Sequence, residues 1–508
     1  MSPLIPELYG PLCSTLVLSC ILLVCSIRNR SRLTLPPGPK KLPLVGNLFD
    51  MPASEEWKTY QRWSREFDSD IIHLTVAGKS SIILSSLQAT NDLLVQRSSI
   101  YSDRQGLQIT ARAVLLIFSQ ATRTKRKLFN TAFSAGASPH FQPMELTAVH
   151  ALLRRFLTNP ECDIIQQFRQ MTGGLIMSIA YGIDVLPMND PYLKLLQESM
   201  HGLAEASVPG KYLVDAIPIL KYIPTWFPGA GFKRAAKEWG EMTRQSVRVP
   251  FAEAKRIIAT GKSQASYVSK LLSVGGDASD PNYSEDAIRD TAGSIFNAGI
   301  QTTVATLRTF ALAMLLHPEI QERAQSEIDS VVGCDRLPTF DDKSALPYIT
   351  ALVKEMLRWN PPAPLGVPHF VAVENEYRGY RIPAGSIVLA NIWAILHDNA
   401  LYPTPLEFRP ERFLAVGQAQ GSNPDPASVF GYGRRACPGQ FMAMDELWIT
   451  VASILAAFNI TRAIGDTGKG IEPTSRYLSS VSSIQLPFKC CVQPRSKRSA
   501  ELVEATAL

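Results

Sequence analysis

In Phe430-Gly-Tyr-Gly-Arg-Arg-Ala-Cys-Pro-Gly439 one cysteine is held between glycines and followed by an apolar, helix-like run. Gly431 and Gly433 permit tight turns beside a bulky ligand, because a residue without Cβ enters backbone conformations closed to others. Pro438 suits the first turn of a helix. A helix from about Pro438 through Met442, Met444 and Leu447 aims its amide-rich positive end at Cys437 and favours an ionised sulfur. Arg435 is placed to meet an anionic group of the same ligand. A buried structural cysteine would account equally for Cys162 or Cys334, but not for these surroundings.

On either side of this loop, helical periodicity dominates. Apolar-periodic segments cover about 284 to 316, 319 to 331, 344 to 360 and 440 to 458. Short β-like pieces, Ile71 to Val76, Ser81 to Leu84 and Ile387 to Ala390, are bounded by Gly, Ser or Pro. The predicted class is mostly α with a small β portion. In the longest helix, Ser284 or a neighbour is the cap, Glu285 and Asp286 fill the first turn, and His317-Pro318 ends it. Its interior holds Ala298-Gly299-Ile300-Gln301-Thr302-Thr303. A glycine there costs about 1 kcal/mol against alanine, so something approaches the backbone closely. Glu355 and Arg358 are i,i+3 neighbours on one helical face, as are Glu241 with Arg244 and Glu253 with Arg256, which read as solvated pairs.

The 430–439 segment resembles the haem-binding loop of cytochromes P450, FxxGxRxCxG, and Phe430, Gly433, Arg435, Cys437 and Gly439 fill every fixed position. A chance match in a chain this long is on the order of one in ten thousand. Glu355-Met-Leu-Arg358, then Phe408-Arg-Pro-Glu-Arg-Phe413, then the cysteine loop stand in the family's order. The resemblance runs over nearly the whole chain and is closest to fungal, basidiomycete-like microsomal members of secondary metabolism. It implies a P450 fold behind one N-terminal transmembrane helix, and haem b bound through the Cys437 thiolate as metal ligand. Phe430, Gly431, Arg435, Arg126 and His369 would contact the cofactor, and Glu355, Arg358 and Arg412 would form a buried charge network. Thr302 matches the threonine that helps deliver protons, but Gln301 stands where an acid is usual, and a glutamine cannot titrate. Pocket walls by resemblance are Phe296, Ala298, Gly299, Leu365, Val367 and Leu478.

A second departure lies in Ala121-Thr-Arg-Thr-Lys-Arg-Lys127, where Thr122 replaces the family's tryptophan and the stretch after Tyr101-Ser-Asp-Arg104 is short. Either the propionate contact and substrate loop are altered, or a piece of the gene is lost. The resemblance implies electrons from NADPH through NADPH–cytochrome P450 reductase, with cytochrome b5 as a second donor. The donor would dock on a basic face of Lys125, Arg126, Lys127, Arg434 and Arg435. The function expected is insertion of one oxygen atom from O2 into a lipophilic small molecule, terpenoid or aromatic. Two rival classes are a haem-thiolate isomerase or dehydratase, which Gln301 allows, and a degenerate haem or lipid binder, which Thr122 and the short loop allow.

Composition bounds the rest. The 508 residues are 46% hydrophobic and 19% charged, which disfavours disorder, and a net charge of +6 gives no reason to expect a nucleic-acid partner. Eight cysteines without a CxxC pair indicate a reduced compartment. Leu8 to Ile27 is apolar and uncharged, long enough to cross a bilayer, and followed by Arg28, Arg30 and Arg32. The positive-inside rule then keeps the remainder cytoplasmic, with a single-pass anchor in the endoplasmic reticulum membrane by the resemblance. The expected division is an anchor over 1–27, a basic and Pro-rich linker over 28–45, one catalytic domain over 46–495 and a tail over 496–508. Trp226 and Phe227, in the Pro- and aromatic-rich 206–232, would be interfacial anchors. Ser31, Ser284 and Thr461 complete glycosylation sequons that a cytoplasmic domain leaves unused.

Overall fold

The computed structural model describes residues 33–507 except 104–122, 275–283, 415–422, 465–469, parts of 208–217 and 475–483, and positions 44, 53 and 77. The expected anchor, Thr122 and the short segment before it therefore lie outside the described residues.

Helices form most of the body: α1 (Glu56–Glu66), α2 (Arg123–Phe133), α3 (Gln142–Thr158), α4 (Ile164–Tyr181), α5 (Pro191–Ser207), α6 (Gly231–Ala259), α7 (Glu285–Leu316), α8 (Pro318–Val331), α9 (Pro347–Trp359), α10 (Gln440–Ala457) and α11 (Lys497–Ala505). The centre is α7, which packs along α4 and α6 and also touches α2, α9 and α10. Ser284 caps it, its hydroxyl accepting from the Ala287 amide at 3.3 Å, and His317 closes it ahead of Pro318. Thr291, Thr306 and Thr309 each donate to the carbonyl four residues back, so the threonines of this largely apolar helix enter the core with their hydroxyls satisfied. Two described helices, Glu285–Leu316 and Gln440–Ala457, are long and apolar enough to cross a membrane, but their apolar windows are 78% and 72% buried inside the protein.

The β portion begins with β1 (Ile71–Val76), β2 (Lys79–Leu84), β3 (His369–Phe370), β4 (Asn375–Tyr377), β5 (Tyr380–Ile382) and β6 (Ile387–Ala390), and continues with β7 (Phe458–Arg462), β8 (Tyr477–Leu478), β9 (Ile484–Gln485) and β10 (Cys490–Pro494). The main sheet runs β1-β2-β6-β3, with the 2–6 pairing parallel, so sequence from both ends of the chain meets in it. Among the described residues there are also three two-stranded ribbons, β4-β5, β7-β10 and β8-β9. The architecture is mostly helical with a small sheet portion. The C-terminal tail is structured: α11 has a Ser496 cap and packs on α3 and β10.

Candidate functional site

Cys437 sits in a turn built for it. Gly431 holds φ +75° and Gly433 φ +54°, and a Cβ on Gly433 would stand 2.3 Å from the Leu94 carbonyl oxygen. Phe430, packed on the main core, accepts the Cys437 amide through its carbonyl at 2.6 Å. Helix α10 starts at Gln440 with Gly439 as N-cap, two residues later than the Pro438 start read from sequence, because Pro438 and Gly439 form a turn. The Gly439 amide still hydrogen-bonds the sulfur. Burial raises the Cys437 thiol above its ordinary range, against this amide and the Arg126 guanidinium, which both favour the thiolate. Helix end and cation therefore offset only part of the desolvation of the free thiol; a bound metal ion would remove the proton outright.

Arg126, on α2, donates to the Arg434 carbonyl and, at 2.7 Å, to that of Ala436, clasping the loop one residue before the cysteine. Arg435 donates from Nε to the Ser102 carbonyl at 2.7 Å, and the His369 Nδ1 meets the Tyr101 carbonyl at 2.8 Å. The segment 101–103 is thus the hub joining β3 to the cysteine loop, and Asp103 bridges to Phe370. Nothing in the sequence marks this segment as a hub, because backbone carbonyls leave no side-chain pattern to read. Burial lowers the pKa of Arg126, and repulsion from Arg435 adds to it; burial lowers Arg435 too, against the pull of Asp103. Among the described residues, the buried Tyr101 hydroxyl and Ser102 Oγ lack hydrogen-bond partners.

On α7 a stripe opens in an otherwise buried helix. Ala298 and Thr302 are exposed, Ser294 and Ala305 partly so, and this i, i+4, i+8, i+11 spacing marks a single helical face. Thr302 Oγ1 donates to the Ala298 carbonyl at 3.0 Å, and Gln301 flanks it, partly buried. Phe296 is not a wall of this opening: it is 0% exposed, edge-on to Tyr181 of α4 at 6.1 Å, about half a turn from Ala298. Gly299 likewise answers to packing, since a Cβ there would lie 3.2 Å from Ile176 Cδ1. Leu365 packs with the cluster of Tyr60, Trp63 and Ile72, Gly366 turns at φ +59°, and Val367 is exposed. Leu478 lies on β8, with its side chain outside the described residues. A groove of about 740 Å³, lined by Met144, Arg155, Met171 and Leu175 among others, shares no residue with this site.

Glu355, Arg358 and Arg412 have wholly buried side chains. Arg358 binds both oxygens of Glu355, at 2.7 and 2.8 Å, and Arg412 Nε reaches them at 3.1 and 3.2 Å. The excess cation is met by carbonyls of Leu396, Pro403, Pro405 and Glu407. The Arg244–Glu241 and Arg256–Glu253 hydrogen bonds, by contrast, lie on the surface. Of the expected basic face, Lys127 and Arg434 are exposed, whereas Lys125 is turned to Asp290 of α7 at 2.8 Å and contributes no free charge.

The donor set suits haem: one thiol in a glycine turn, two cations and a histidine on hub carbonyls for acidic substituents, and an open helical face. The cytochrome P450 family model matches residues 36–492. Cytochrome P450 monooxygenase 98 of Postia placenta is 41% identical over 95% of both chains. A cytochrome P450 monooxygenase of Rhodocybe pseudopiperita is 39% identical, covering 93% of this chain and 92% of its own. Tryptamine 4-monooxygenase of Psilocybe cyanescens is 37% identical, covering 95% and 97% respectively. These names support oxygen insertion and neither rival class, so the chain belongs to the cytochrome P450 family and is a haem-dependent monooxygenase.

Proposed function

We propose that this protein inserts one atom of O2 into a lipophilic secondary metabolite, terpenoid or aromatic, at the endoplasmic reticulum membrane, with electrons from NADPH through a reductase. The observation that carries the reading is the pairing of a cation-flanked thiol in a glycine turn with an open stripe on a buried helix. When bound, haem with a thiolate ligand supplies iron whose electron density favours O–O cleavage and attack on an unactivated C–H bond.

The chain's residues do the rest. Cys437 would hold the iron, and Arg126, Arg435 and His369 would fix the ring by its propionates. Thr302 spends its hydroxyl proton on the Ala298 carbonyl, so its lone pairs face the opening as acceptors for water or substrate. Gln301 can orient a water but cannot release a proton, so protons would reach the site through water ordered at Thr302 Oγ1. Ala298 leaves room over the stripe for an apolar substrate. The aromatic option draws on the tryptamine 4-monooxygenase relative.

Membrane placement is supported by the apolar 8–27 segment with its trailing arginines. A second support is a patch of exposed Ile219, Tyr222, Trp226 and Phe227, of which Trp226 is 78% exposed. Lys127 and Arg434 offer an acidic donor its landing charge. The test is co-expression with a reductase in microsomes, reduction under carbon monoxide, and feeding of terpenoid and aromatic compounds. A thiolate-shifted Soret band and products heavier by one oxygen are expected. A nitrogen-ligated spectrum, or turnover without oxygen uptake, would overturn the reading.

A further inference from the structure

Away from the haem site, the groove of about 740 Å³ runs between α3 and α4. Its α3 side presents Met144, Ala148, Ala151 and Arg155, whose i, i+4, i+7, i+11 spacing marks one helical face. Its α4 side presents Met171, Gly174, Leu175 and Ser178. The loop after α4 closes the wall: Gln170 Nε2 donates to the Leu186 carbonyl at 2.6 Å, and a Cβ on Gly174 would lie 3.0 Å from Val185 Cγ2. The middle is therefore apolar and kept open by small residues, with the volume of a small-molecule pocket.

The two ends differ in charge. Arg154, Arg155 and Thr158 line the groove where α3 runs out, and Ser178, Asp184 and Gln264 line it at the far end of α4. Asp184 accepts from Gln264 Nε2 at 3.1 Å. Arg155 donates from Nε to Gln167 Oε1 at 2.7 Å, and Arg154 from Nη1 to the Thr506 carbonyl at 2.8 Å. Among the described residues, Nη1 of Arg155 and Nη2 of Arg154 have no hydrogen-bond partner, and neither arginine has a carboxylate within ion-pair distance. Burial pushes Arg155 down to about 10 and Arg154 adds to the push, against Cys162. From Met144 to Arg155 the groove follows about 17 Å of α3.

We propose that this groove binds a free fatty acid, with its carboxylate between Arg154 and Arg155 and its chain lying over Ala151, Ala148 and Met171 toward Met144. A guanidinium fork matches a carboxylate in shape and charge, and the Asp184 end repels one, so charge fixes the direction of the chain. A floor of alanine and glycine leaves width for a single chain. The acid here is a bound ligand and not a substrate. On another side of α4, Ile176 packs at Gly299 of α7, so the occupant lies one helix away from the open stripe.

The test incubates the full-length, haem-loaded protein with a myristate analogue carrying a diazirine at its tail, irradiates it, and maps labelled peptides by mass spectrometry. Label on the peptide holding Met144 is expected, displaced by excess myristate. Tetradecanol, the same chain without the charge, should displace it about tenfold less well, a comparison that needs no variant. Ala151→Phe, which fills the groove and keeps both arginines, should abolish the label. Arg154→Gln with Arg155→Gln should weaken it about tenfold. Label confined to peptides of α7, equal displacement by tetradecanol, or wild-type labelling of Ala151→Phe would each overturn the assignment. Labelling needs neither reductase nor turnover, so loss of the oxygen-insertion reading would leave this result standing.

Discussion

At the residue scale, one atom and its surroundings set the chemistry. Replacing Cys437 with alanine should abolish the thiolate-shifted carbon monoxide band, and oxidation persisting in that variant would contradict the ligand assignment. Gln301→Glu places a titratable carboxyl beside Thr302, so product formed per NADPH consumed should rise if proton supply limits the reaction; oxygen uptake and product assays compare the two. A different buried residue governs pH. Glu145 of α3 is 0% exposed, both its carboxylate oxygens are without a hydrogen-bond partner among the described residues, and burial, then Glu446 and Asp445, drive its pKa to about 9 against the pull of Lys343. Burial also raises Glu446 to about 7, against a hydrogen bond from Thr172. Asp445 is held by Lys343 at 2.6 Å and by Ser138 at 3.0 Å. Because the folded state keeps these protons longer than the unfolded one, stability should be full below the ordinary carboxyl range. It should fall as pH rises through it toward about 9. Glu145→Gln should flatten thermal stability over the upper part of that window, measured by melting at stepped pH; an unchanged slope would show that Glu145 has a partner.

At the element scale, the cysteine loop and the buried ion network hold the site in shape. Gly433→Ala combines φ +54° with a Cβ 2.3 Å from the Leu94 carbonyl, and should cost about 1–3 kcal/mol in urea unfolding. At Gly439 a Cβ would meet nothing within 4 Å, so Gly439→Ala should change stability by no more than about 0.5 kcal/mol. A haem-loading defect in that variant would then report on the cofactor and not on the fold. In the network, Arg412→Ala removes one of two cations from Glu355 and leaves carbonyls of Pro403 and Thr404 unpaired. A loss of about 3–5 kcal/mol is expected, read from denaturant midpoints. The same i,i+3 spacing at Glu241 and Arg244 is solvated, and Glu241→Ala should be nearly silent.

At the scale of the whole molecule, the exposed aromatic patch bears on how the body meets a bilayer. With residues 1–27 deleted, the remaining chain should still bind vesicles in part. Trp226→Asp with Phe227→Asp should release it to the supernatant in a flotation assay, because charged side chains are costly in the interface. Equal partitioning of the two forms would place the contact elsewhere.

The helices, the cysteine loop and the family are legible in the order of residues alone. Periodicity placed α7 and α10 to within a residue or two, and fixed spacing around Cys437 is a property of the chain read in one dimension. Which partner each side chain meets emerged only once the chain was folded. Phe296 and Ala298 lie two residues apart in one helix, yet one fills the core beside Tyr181 and the other faces open space. Glu355 and Glu241 share a motif, but only one is enclosed by a second arginine from fifty-seven residues away. Helical pattern is local and survives in the string of letters; burial and charge pairing depend on distant segments arriving at the same place.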